Sequence, residues 1–164
     1  MAETGNTIVL YDGRKVTARV RDCILATQAL FRKRANKPRF TINLSQGSFS
    51  HTIDASGSTH DGDAVTDVRT ESDGLDRAEI RLLSQCFKQC GAQPFTRDER
   101  DGMEPHLHVL FATDAQMSEG AKWQIVEYDA GRNGLTNRGK DRNPYRVNPK
   151  LRWSYTQGKP VLRP

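Results

Sequence analysis

Residues 106–112, His-Leu-His-Val-Leu-Phe-Ala, constrain this chain more than any other stretch. Strand side chains alternate between faces, so His106, His108 and Leu110 project together while Leu107, Val109 and Phe111 turn to the opposite, core-packed side. The fold must bury one side of this strand and leave an imidazole pair on the other. The two histidines stand about 6–7 Å apart at their backbones by the usual rise per residue. One can bind a metal while the other reaches the metal-bound water or a substrate.

A second cluster of acids and imidazole precedes this strand: Ser58-Thr59-His60-Asp61-Gly62-Asp63-Ala64-Val65-Thr66-Asp67. His60 and Asp67 are seven residues apart, and the His-x-His follows about forty residues later. Together they supply the three ligands of a catalytic zinc site, with one histidine to spare. Catalytic zinc takes three protein ligands and leaves the fourth position to water. Asp67 falls mid-strand between Val65 and Arg69, where an inward carboxylate needs a compensating partner that a divalent cation provides. Calcium fits less well, because Asp61, Asp63 and Asp67 lack the bidentate glutamate of an EF-hand loop. A lone His-x-His is most often a surface strand; the two clusters in this order carry the metal assignment.

The surrounding pattern predicts an α+β fold: a small, mostly antiparallel sheet carrying the zinc site, flanked by about three helices. Thr7–Tyr11 reads as a strand and Asp12-Gly13 as a hairpin-type turn. Val16, Val20, Cys23, Ile24, Thr27, Leu30 and Phe31 recur at helical spacing and predict a helix over about 17–34, ended by Asn36 and Pro38. Arg39–Leu44 alternates as a strand, and a Ser/Gly-rich loop, Ser45–Asp63, follows; so long a loop suggests a site. Ala64–Thr70 reads as the strand carrying Asp67. Asp73 is the expected cap of a second helix, with the stripe Leu75, Glu79, Leu82, Leu83, Cys86, Phe87 and Cys90, closed by Gly91. Glu79 is the misfit on that stripe. Gln93–Thr96 is an expected strand, Arg97–Gly102 a charged turn, and Ser118 the cap of a third helix ending at Gly131.

At 164 residues the chain can bury a proper core, and we divide it into a domain over 1–130 and a basic C-terminal extension over 131–164. The extension holds nine basic residues against the single acid Asp141; the remaining 16 basic and 19 acidic residues leave the first 130 slightly negative. Such an extension suits an anionic polymer, or serves as a solvated appendage. Its large anchors are Tyr145, Trp153 and Tyr155. Cys23, Cys86 and Cys90 read as reduced core residues. No apolar run approaches the roughly 18 residues of a membrane span. Met1–Asn6 carries an acid and no apolar run, so no signal peptide and synthesis in the cytoplasm are expected.

Ser58-x-His60, then Asp67, then His106-x-His108 resembles the zinc peptidases grouped as lysostaphin, D-alanyl-D-alanine carboxypeptidase and hedgehog-type domains. Gln46-Gly47-Ser48-Phe49 ahead of this motif is similar to the small peptidoglycan-cutting members of phages and actinobacteria. The resemblance spans roughly residues 40–112. It implies one zinc per chain held by His60, Asp67 and His108, substrate contact at Ser58, and a scissile carbonyl steadied by Gln46. Two departures stand out. Asp63 and Val65 replace the usual Gly and Ala, with Gly62 and Ala64 each one position early. Pro105 stands where the carboxypeptidase branch places a catalytic Glu, and Glu104 is one residue further off. The endopeptidase branch instead uses the first histidine of His-x-His, which makes His106 the expected general base or oxyanion stabiliser and Glu104 the lesser candidate.

The resemblance thus implies a zinc metallopeptidase that hydrolyses peptidoglycan stem peptides or cross-links, as endopeptidase or carboxypeptidase. The basic extension would meet the anionic wall, reached after release from the cell or from within a virion. An inactive zinc-binding module of the same fold is the alternative. A nucleic-acid-associated protein has the weakest support, resting on the basic extension and its aromatics.

Overall fold

In a computed structural model, which describes residues 2–51, 58–112, 117–143 and 150–163, the chain opens with a hairpin of β1 (Ile8–Tyr11) and β2 (Arg14–Thr17). Asp12 and Gly13 both take positive φ, the geometry of a two-residue turn that follows the strand twist. The sequence gives little hint of β2, because Arg14, Lys15 and Thr17 leave Val16 as its one apolar residue.

Helix α1 (Ala18–Ala35) follows directly and buries Val20, Cys23, Ile24, Thr27 and Phe31, the expected stripe. Asn36, in left-handed backbone, ends it. The strand expected over 39–44 does not form. Its backbone groups are taken by side chains instead: Arg32 Nε donates to the Phe40 carbonyl, the Ile42 N–H to Gln28 Oε1, and the Tyr11 hydroxyl to the Ile42 carbonyl. Only β3 (Leu44–Gln46) enters the sheet.

The sheet orders β3, β4 (Val65–Arg69), β6 (His106–Leu110) and β5 (Gln93–Arg97), antiparallel throughout. Gln46, Asp67, His108 and Phe95 align across all four strands, and Arg69, His106 and Arg97 form the next row. Leu107 and Val109 turn to the other face and join Val20, Ile24, Phe31, Leu83 and Phe87 in the core. That core lies under α1 and α2 (Arg77–Gln89), which pack on each other.

The cap of α2 is Asp76, not Asp73. Asp76 accepts the Glu79 N–H while Glu79 returns a bond to the Asp76 N–H, so Glu79 sits on the helix stripe as half of a capping box. Asp73 instead ends a 3-10 turn and accepts from Asn43 Nδ2. Ser118 caps α3 (Glu119–Asp129) as expected, with the Ala121 N–H donating to its hydroxyl. The three cysteines are free and buried; burial pushes the Cys86 thiol up to about 11.

The C-terminal residues carry a hairpin that their Gly, Asn, Pro and Arg content does not announce: β7 (Leu151–Ser154) and β8 (Lys159–Leu162). Trp153 joins the core at 9% exposure, and the Tyr155 hydroxyl reaches the Glu3 carbonyl. Tyr145 and Arg146 lie outside the described residues. Acids of the first 130 residues take up much of the extension's charge. Arg132 and Arg138 meet Glu127, Arg142 meets Asp98 and Asp101, and Lys150 and Arg163 meet Asp129. Among the described residues no helix is long and apolar enough to cross a membrane.

Candidate metal centre

Asp67 reaches the site from the middle of β4, directly opposite His108 on β6. His60 comes from a 3-10 turn, Thr59–Asp61, where it is fully buried. That turn is held from both sides: the Ser50 N–H donates to the His60 carbonyl, and the Ser118 hydroxyl to the Thr59 carbonyl. One candidate ligand atom from each of His60, Asp67 and His108 lies within 4.8 Å of the others. The geometry of this group suits a metal ion.

The hydrogen bonds around the group decide where its protons sit. His60 Nδ1 is 2.9 Å from the Gly47 carbonyl, which can only accept. The proton is therefore on Nδ1, and Nε2 carries a lone pair. Gly47 is itself packed against β2, where a Cβ would stand 2.6 Å from the Lys15 carbonyl oxygen, so the position that holds His60 leaves no room for a side chain. On the other side, His108 Nε2 is 2.8 Å from Gln124 Oε1. The Gln124 amide cannot be reversed, since its Nε2 donates to the Gly134 carbonyl at 3.1 Å. His108 therefore carries its proton on Nε2 and a lone pair on Nδ1.

Those lone pairs face one carboxylate oxygen. Asp67 Oδ1 is 2.8 Å from His108 Nδ1 and 3.3 Å from His60 Nε2, and the buried His60 Nε2 has no hydrogen-bond partner among the described residues. Three acceptors converge with no proton between them, an arrangement that repels itself until a cation enters. Burial alone would raise the Asp67 carboxyl, but hydrogen bonding and positive charge from His108 and His60 outweigh it and hold the acid well below the usual range; with both imidazoles neutral, an entering cation takes over that role. Burial pushes the His108 imidazole below its ordinary value, against the pull of Asp67. An ionised carboxylate and a neutral imidazole are the forms that bind metal. The donor set of two imidazoles and one carboxylate suits zinc.

His106 stands apart from this group. Its Nδ1 is 2.7 Å from the Glu104 carbonyl, which orients Nε2 as an acceptor 3.7 Å from Asp67 Oδ1. It borders a cleft of about 560 Å³ that the metal group opens into. Gln46 lines the same cleft, 6% exposed, with its Nε2 unpartnered among the described residues. Glu104 is exposed at the rim, and its carbonyl rather than its carboxylate is what engages His106. Ser58 is exposed, in left-handed backbone just before the turn, and Thr59 lines the cleft in its place.

Sequence reasoning did not reach Gln124, Arg97 or Trp123, all of which line the cleft. Gln124 had a faint signal: it shares the buried side of α3 with Ala121 and Tyr128, where a polar residue is out of place. Compared with protein-family models, with curated proteins and with solved structures, the chain matches none.

Proposed function

We propose that this chain is a zinc-dependent peptidase acting on peptidoglycan stem peptides or cross-links. The observation that carries the reading is the convergence of the His60, Asp67 and His108 lone pairs on one buried point beside an open cleft. The motif resemblance supplies the substrate class.

Bound by these three side chains, zinc would lend Lewis acidity to a substrate carbonyl and to water. The chain's own groups do the rest. His106 Nε2, fixed as an acceptor by the Glu104 carbonyl, takes a proton from water at the cleft floor and later returns it to the leaving amine. Gln46 Nε2 donates to the carbonyl oxygen as negative charge develops there. Trp123, Met103 and Leu135 wall the cleft and limit water beside the peptide.

The test is mass analysis of defined stem peptides and cross-linked wall fragments, incubated with the zinc-loaded protein and with a chelator. Chelator-sensitive release of a fragment is expected. One zinc per chain with no fragment from any substrate would favour the inactive module instead.

A further inference from the structure

Arg97 lines the floor of the cleft, directly opposite His106 on the neighbouring strand, so the two side chains share the sheet face. It is 3% exposed. A guanidinium offers five N–H donors and cannot shed its charge. Arg97 Nη1 gives one bond, 2.7 Å to the Asn133 carbonyl, while Nη2 has no partner among the described residues. No carboxylate of those residues lies within ion-pair distance of it. The Phe95 ring stacks beneath the guanidinium at 4.8 Å and fixes its plane. Burial depresses its pKa to about 10, with the charges of Asp101 and Asp67 working the other way. An uncompensated cation in so buried a place costs stability unless something anionic meets it.

We propose that Arg97 is a substrate-binding residue that receives a carboxylate of the peptide, beside the bond that His106 and the metal group act on. This rests on the peptidase reading and narrows it to peptides bearing a free carboxylate close to the cleaved bond. With two imidazoles and one carboxylate around a divalent ion, the metal group keeps net positive charge; Arg97 adds to it, and Glu104 stands out at the exposed rim. The one spare guanidinium edge suits a planar carboxylate.

Two carboxylates of a stem peptide qualify, the C-terminal one and the α-carboxylate of a γ-linked glutamate. The experiment uses one peptide pair for each. The first is diacetyl-lysyl-D-alanyl-D-alanine as free acid and as C-terminal amide. The second is alanyl-γ-D-glutamyl-lysine amide with the glutamate α-carboxylate free or amidated. Calorimetric binding to the zinc-loaded full chain is measured alongside hydrolysis. In one pair the acid should bind at least about tenfold tighter than the amide, as a charge-assisted bond predicts. Arg97→Gln should erase that ratio, and Arg97→Lys should keep part of it. If Arg97→Gln does not fold, a reduced ratio in Arg97→Lys is the expected result and an unchanged one overturns the assignment. Equal binding of acid and amide in both pairs, no binding of either acid, or a full ratio surviving in Arg97→Gln, would also overturn it. An acid preference that depends on Arg97 without hydrolysis of any peptide upholds the subsite and removes the peptidase reading. Hydrolysis with equal KM for acid and amide removes the subsite alone.

Discussion

The sheet face around β6 and the residues after Gly131 border the same cleft, but they contribute to it by different means. The sheet supplies side chains: Gln46, Asp67 and His108 in one row, His106 and Arg97 in the next. The later segment supplies main chain. The Gly134 carbonyl orients Gln124, which places the proton on His108, and the Asn133 carbonyl holds Arg97. One region brings lone pairs and charge, and the other fixes the proton on His108, while the Gly47 and Glu104 carbonyls set those of His60 and His106. A site of this kind is only half described by its ligands.

The most drastic way to break this division is to end the chain after Gly131. If the later residues are structural, truncation removes Trp153 from the core and the Gly134 carbonyl from Gln124 together. Cooperative thermal unfolding and zinc retention should then both be lost at every salt concentration. A truncated protein with an unchanged Tm and a full complement of zinc would show that the later residues are only a charged appendage.

Substitution on the sheet side should be more selective. His108→Ala removes a ligand and should lower zinc affinity by more than the roughly 10–100-fold typical of a supporting residue. Chelator competition and elemental analysis measure it, and equal zinc in both proteins would refute the ligand assignment. His106→Ala should retain zinc while slowing hydrolysis about 10²–10⁴-fold. If Glu104→Ala is the inactive variant and His106→Ala remains active, the base is the rim carboxylate.

The two regions meet at Gln124. Gln124→Met keeps the packing volume but withdraws the acceptor from His108 Nε2–H, so zinc affinity should fall about 10–100-fold with little change in Tm. An unchanged affinity would mean that the Gly134 carbonyl has no hold on the metal group.

The smallest effect expected is on pH dependence. With its folded pKa depressed by burial, His108 is neutral in the fold and takes up a proton more readily once unfolded. Metal-free protein should therefore be most stable above about 6.5, the ordinary histidine value, and lose stability as pH falls through it. Denaturant titrations at pH 5 and pH 7.5 compare the two, and His108→Gln should flatten the difference.

The two regions also differ in how far the sequence discloses them. Alternation in Leu107, Val109 and their neighbours made β6 legible, and the stripe in α1 did the same, because both patterns record burial. The metal group was legible because two clusters of imidazole and carboxylate, His60 with Asp67 and then His106-x-His108, follow one another in the chain. Main-chain carbonyls leave no such mark. Nothing in Asn133-Gly134 announces that its oxygens hold Gln124 and Arg97, although the glycine is required: at φ +66°, a Cβ there would stand 2.8 Å from the Phe95 ring. The segment 39–43 misled for a related reason. Its alternation is real, but side chains of α1 satisfy its backbone before any strand can.

The place of the Gly134 carbonyl, after all three residues of the metal group, has a consequence for biosynthesis. His60, Asp67 and His108 leave the ribosome well before residue 134, yet His108 has no fixed tautomer until Gln124 is clamped from behind. Gln124 and Gly134 are only ten residues apart, but both are made after His108, and translation runs at roughly 5–20 residues per second. For a few seconds the nascent polypeptide carries every ligand without the frame that makes them selective. A metal held by this group would be gripped by its final frame only once residue 134 has been made.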